Sequence, residues 1–103
     1  MSYKLIMNWN IKPGRDQDYF EFVVREWIPT TSRLGLQTVG AWYSVYTRNP
    51  LEPRIMAEAL MEEMSSMRSV LESDEWRDIQ TRLLDYVDHY SQKVVETDGS
   101  FQL

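Results

Sequence analysis

The chain has no cysteine, a single histidine, four glycines and four prolines among its 103 residues. Without thiols there is no disulfide framework, no thiolate nucleophile, no thiol-ligated zinc and no iron–sulfur cluster. One imidazole cannot build a two- or three-histidine zinc site within one chain. The glycines are scattered, so neither a phosphate-cradling loop nor a dinucleotide fingerprint can be drawn. No apolar run approaches the ~20 residues of a membrane-crossing helix, and the first residues lack a signal-peptide pattern. Basic runs are absent too, and the net charge of −5 sets nucleic acid aside as a partner. The expectation is a soluble, cytoplasmic protein with no metal, no cofactor and no membrane partner.

What is present is apolar bulk. Hydrophobic residues make up 43% and aromatics 13%, with four tryptophans and six tyrosines. That is enough for a packed core, and the length fits one domain over 1–103, with its core at about 3–96 and a tail at 97–103.

Residues 3–11 alternate, with Tyr3, Leu5, Met7, Trp9 and Ile11 on one face, which is the period of a strand. Lys12, Pro13, Gly14 and Arg15 form a turn. Asp16 is placed to cap a helix, and Phe20, Val23, Val24, Trp27, Thr31 and Leu34 supply its apolar stripe. Pro29 predicts a kink or break, and Gly35 a stop. A second strand covers 36–47, with Leu36, Thr38, Gly40, Trp42, Ser44 and Tyr46 opposite Gln37, Val39, Ala41, Tyr43, Val45 and Thr47. Gly40 marks a bulge or a close backbone approach. Residues 48–53 form a loop and 54–61 a third strand. A short helix begins at Ser65 or Ser66. Ser73 caps a longer one with Trp76, Ile79, Leu83, Tyr86 and Tyr90 on its stripe, and 91–96 are a final strand.

The order β-α-β-β-α-β is the split βαβ arrangement of an α+β, ferredoxin-like fold: a four-stranded antiparallel sheet with helices on one face. Large side chains on both faces of the second strand would leave an apolar surface wet in a lone copy. A homodimer, packed sheet on sheet, is the simplest remedy.

Several of these features occur together: Lys12-Pro13-Gly14 after the first strand, a helix carrying Trp27 and Pro29, Gly35-Leu36 leading into Val39-Gly40-Ala41-Trp42, and Ser73-Asp74-Glu75-Trp76 late in the chain. This combination resembles the NIPSNAP-like and antibiotic-biosynthesis-monooxygenase-like members of the dimeric α/β-barrel superfamily, over about 3–96. The resemblance implies a dimeric α/β barrel that takes a small hydrophobic or aromatic molecule. It also implies a cofactor-independent monooxygenase, in which the deprotonated substrate itself reduces oxygen. A non-catalytic dimerisation or ligand-sensing module is the alternative, because this superfamily hosts many activities and fold does not fix chemistry.

In some similar monooxygenases a first-strand asparagine and a tryptophan on the second long helix flank the substrate. That resemblance nominates Asn8 or Asn10 as hydrogen-bond donor and Trp76 as stacking wall, while a core anchor is the plainer account of Trp76. His89, four residues after Asp85 on one expected helix face, is a candidate general base or, more remotely, a haem ligand. A ring stabilised at a helix C-terminus is the plainer account of His89. Glu58 points away from Ile55, Ala57 and Ala59, where a half-buried carboxylate could move a proton or pair with Lys4, Asn8 or Arg54. Trp9, Trp42, Tyr43 and Tyr46 supply aromatic surface, either to line a ligand pocket or to fill core and interface.

Overall fold

The computed structural model describes residues 2–43 and 55–97, with Trp42 and Tyr43 described by backbone alone. Strand β1 (Ser2–Ile11) leads to α1 (Asp16–Phe22), a π-helical turn (Val23–Trp27) and α2 (Ile28–Arg33). After β2 (Gln37–Tyr43) and β3 (Ile55–Met61) come α3 (Met64–Glu72), α4 (Asp74–Leu83) and β4 (Val87–Thr97). The strands pair antiparallel throughout in the order β2-β3-β1-β4, the expected ferredoxin-like topology. Among the described residues no helix is long and apolar enough to cross a membrane.

Alternation along β1 and β3 divides the sheet. Leu5, Met7 and Trp9 pair with Ala59, Ala57 and Ile55, and all six are buried in one core with the helices. Between them Lys4, Ile6 and Asn8 pair with Leu60, Glu58 and Met56 on the other, open face. Small alanines opposite Leu5 and Met7 leave depth for the bulky helix residues Trp27, Trp76 and Phe22 to seat on the sheet.

Helix ends follow local chemistry. Gly35, at φ +92°, closes α2 with a double bond pattern: its N–H reaches the Ser32 carbonyl and that of Leu36 reaches Thr31. Ser73 caps α4, its Oγ accepting from the Trp76 N–H at 3.2 Å, as the sequence predicts. For α1 the cap is Arg15, without a side-chain bond, and Asp16 is the first helical residue; both Asp16 and Asp18 still lie where the helix dipole favours them.

Four expectations need correction, and each has a physical cause. Pro29 does not end the helix, because the turn before it widens: the Ile28 N–H bonds to the Val23 carbonyl five residues back. A wide turn relieves the clash a proline ring makes with a regular helix. That turn inserts one extra residue into the apolar period, so Tyr19, Phe22, Trp27 and Thr31 are buried while Phe20 and Val24 face solvent.

In β2 the register steps from Thr38 opposite Ala59 to Gly40 opposite Glu58, leaving Val39 as a bulge. The bulge beside Gly40 is as foreseen, but it reverses the phase beyond it. Ala41 thus shares the register of Ala57, and Trp42 that of Met56. The outer half of the predicted strand, with Tyr46, lies outside the described residues, as do the side chains of Trp42 and Tyr43.

Helix α4 ends at Leu83, not Tyr90, and β4 begins at Val87, not Ser91. Lys12 accounts for the stop, its Nζ donating to the Leu84 carbonyl at 3.0 Å and its backbone N–H to Tyr86 at 2.9 Å. A cation on the last free carbonyls satisfies the helix end, and the strand pairing that begins at Val87 takes over from there. The β1–β4 register then slips by one between Asn8 and Asn10, with His89 at φ +56° as the inserted residue.

Candidate functional site

The structure gathers its aromatic residues on the helix side of the sheet, around Trp9. Tyr90 stacks on Trp9 at 5.9 Å, with ring planes 5° apart. Trp27 and Tyr19 meet Trp9 edge-on at 5.9 and 6.4 Å, and Trp76 packs against Trp27 at 5.6 Å. Two of these rings arrive through irregularities. The π-helical turn swings Trp27 inward, and the His89 bulge turns Tyr90 onto Trp9 while Asp88 and Ser91 stay in register with Asn10 and Asn8.

This cluster leaves a cavity of about 90 Å³ between the sheet and the α1–α2 segment. Its floor is Met7, Trp9, Ala57 and Ala59; Tyr19, Trp27 and Thr31 wall it from the helices; Leu36, just before β2, and Thr38 within it border the remaining side. Three side-chain hydroxyls, those of Tyr19, Thr31 and Thr38, stand in walls dominated by apolar surface. Tyr19 Oη accepts from the Trp9 indole N–H at 2.9 Å, and Thr31 Oγ1 donates to the Trp27 carbonyl at 2.8 Å. Burial raises the Tyr19 phenol above its usual range, partly countered by the bond from Trp9. Burial also pushes Tyr90 up to about 12, so both phenols stay protonated at physiological pH.

A larger, open groove of about 480 Å³ runs beside α1, lined by Arg15, Asp18, Glu21, Arg25 and Glu26 around Phe22 and Tyr86. Its charges are largely matched within the protein: Glu26 pairs with Arg82, and Arg15 lies 3.5 Å from Asp18 and over the Tyr86 ring. Solvent-screened, mutually paired charges hold a ligand weakly, and the deeper, more apolar aromatic cup is the better candidate.

Of the residues nominated from sequence, Trp9 forms the cup. Trp76 is 1% exposed and reaches the cluster through Trp27, which fits a core anchor. Asn8 and Asn10 alternate with Trp9 and lie in register with Ser91 and Asp88 on the open face. The sheet therefore separates both asparagines from Trp76, and the constellation of asparagine and tryptophan is not assembled within one chain. Nor are His89 and Asp85 paired on a helix. His89 sits half-exposed on β4, its Nδ1 3.0 Å from Asp88. Glu58 is on the open face, as its alternation predicts, and pairs with Lys4 at 3.4 Å, while it also counts among the residues that border the cavity. Trp42 and Tyr43 hold register with Met56 and Ile55, and Tyr46 lies outside the described residues.

Sequence reasoning missed Tyr19, Thr31 as a wall and Tyr90 as part of the cluster. The spacing of Tyr19, Phe22, Trp27 and Thr31 was the available signal, but it departs from a regular helical period by the residue inserted at the π-helical turn. Among the described residues no group of three or more acidic or histidine side chains could hold a metal.

No protein-family model matches the chain, and no curated protein matches it. Solved structures do. A NIPSNAP family protein from Agrobacterium tumefaciens superposes with a TM-score of 0.69 at 16% identity, over 97% of each chain. An ethyl tert-butyl ether d (ethd) family protein from Bacillus halodurans gives 0.69 at 19% identity, covering 94% of this chain and 99% of its own. A protein from Bacteroides fragilis described as dimeric, of unknown function and of ferredoxin-like fold gives 0.60 at 7% identity, over 93% and 96%. At such identities the likeness establishes architecture and nothing finer: this chain has the ferredoxin-like fold found in NIPSNAP family proteins.

Proposed function

We propose that this protein binds a small, mostly apolar or aromatic molecule in the cup beneath Trp9, and that it does so as a homodimer. The observation that carries the binding reading is the partly open cavity of about 90 Å³ walled by Trp9, Tyr19 and Trp27. That volume corresponds to about three liquid waters, or rather less than the ~150 Å³ of a dry cavity that takes benzene. A five- or six-membered ring, with slight outward movement of Ile28 or Val23, suits it in size and polarity. Aromatic walls with one or two placed hydroxyls are the usual make-up of a small-molecule site.

The dimer reading rests on the open sheet face. Ile6, Leu60 and Val95 are only half-buried there, and Met56 is exposed beside them. A second copy would cover these apolar side chains, together with the Lys4–Glu58 pair that lies among them. A neighbour of the same fold is described as dimeric.

Cofactor-independent oxidation would need a donor for the substrate anion beside Trp76, and the sheet holds both candidate asparagines on its other side. Ligand binding, whether for sensing or for a reaction, is therefore the function proposed. The test is titration of the full chain with small alicyclic and aromatic rings, followed through the Trp9 and Trp27 indole N–H signals. Ala57→Leu, which fills the floor of the cup, is expected to abolish those shifts. Binding that survives the filled floor would remove the cavity from the account.

A further inference from the structure

In the wall of the cup the buried Tyr19 hydroxyl carries a hydrogen that no group among the described residues takes. An indole N–H can only donate, so the 2.9 Å contact between Trp9 Nε1 and Tyr19 Oη uses a lone pair of the phenol and turns the phenol's own hydrogen elsewhere. Among the described residues no acceptor for that hydrogen is found, although Tyr19 is 4% exposed and stands in the cavity wall. The neighbouring hydroxyl, Thr31, is committed to its own helix, donating to the Trp27 carbonyl. Buried donors are seldom left unmet, and a ligand is the natural place for this one to be satisfied.

We propose that Tyr19 is the specificity-determining donor of the cup. It selects a ring-sized molecule that carries one hydrogen-bond acceptor, a carbonyl or ether oxygen, against a hydrocarbon of the same shape. Trp9 is the positioning residue: stacked on Tyr90 and packed edge-on against Trp27, its ring is held from two sides, and its N–H fixes the direction of the phenol. Burial keeps the phenol protonated well into the alkaline range, so it donates throughout the physiological range. This inference rests on the binding reading above and adds the chemical class of the ligand.

The test uses the full chain and two near-isosteric probes, cyclopentanone and methylenecyclopentane. Tyr19→Phe is expected to lower affinity for the ketone about three- to tenfold, the worth of one neutral hydrogen bond, and to leave the alkene's affinity equal or higher. In the unaltered protein the bound ketone's carbonyl stretch is expected below its frequency in alkane, a readout that does not depend on the variant folding. A carbonyl frequency unchanged from alkane, or a ketone affinity indifferent to Tyr19→Phe, overturns the assignment while the binding reading stands. If neither probe binds the folded, unaltered protein, the binding reading falls and takes this one with it.

Discussion

His89 offers a sharp test of how the sheet is built, because two rules predict opposite outcomes for it. As an ordinary strand residue, its replacement by valine should stabilise and by glycine destabilise, with a spread near 1 kcal/mol. The structure instead puts it at φ +56°, as the extra residue of a bulge, where a side chain costs roughly 1–2 kcal/mol. Glycine removes that cost but adds about 0.5–1 kcal/mol of unfolded-state entropy. It also gives up an exposed pair with Asp88 worth no more than a few tenths of a kcal/mol. The balance for His89→Gly is a gain of roughly 0.5 kcal/mol, or about 2–4 °C in melting temperature for a domain of this size. His89→Val forces a β-branched residue into the left-handed region and should cost about 1–2 kcal/mol, a fall of roughly 5–10 °C. Thermal unfolding by circular dichroism measures both. A valine variant melting above the glycine variant would refute the bulge, and with it the reason Tyr90 lies against Trp9. Ring binding in the cup should be unchanged in His89→Gly, as expected if the imidazole has no part in the site.

Other consequences are as direct. Ser73→Ala removes the acceptor for the Trp76 N–H and the bond to the Val70 carbonyl, and should cost about 1 kcal/mol in denaturant unfolding. Ile6→Glu sets a second carboxylate across from Glu58 on the open face, and should give monomers by sedimentation at concentrations where the unaltered chain is dimeric. An unaltered chain that is itself monomeric at micromolar concentration would end the dimer reading. Stability should also fall in base. Tyr90 ionises near 10 when unfolded but only at about 12 when folded, so between those values the unfolded state loses its proton first. The contribution is complete below pH ~10 and lost as pH rises through ~12, with a ceiling of about 3 kcal/mol. Tyr90→Phe should flatten that decline, and an unchanged alkaline profile would count against the buried phenol.

Much of this architecture is legible from residues alone. The alternation of Leu5, Met7 and Trp9 in β1 and of Ile55, Ala57 and Ala59 in β3 identifies the inward face of each strand, and the register agrees. Ser73 and Gly35 mark helix ends because capping and positive φ are satisfied within a few residues. The candidate site was far less legible. Asn8 and Trp76 look compatible until the sheet stands between them, and Asp85 and His89 share a helix face only if α4 continues past Leu83.

The amino-acid order by itself determined the elements, their sequence and the ferredoxin-like pairing, since these follow from local periodicity and from turn and cap chemistry. Tertiary structure alone decided the phase. At the π-helical turn, at Val39 and at His89 one residue is inserted, and each insertion moves every later side chain of its element to a different face. Such a shift costs little locally and is selected by what the far side chains then meet: Trp27 and Tyr90 closing on Trp9, and Ala41 falling in line with Ala57. That information lies in contacts between residues distant in the chain, and it is what places the cup.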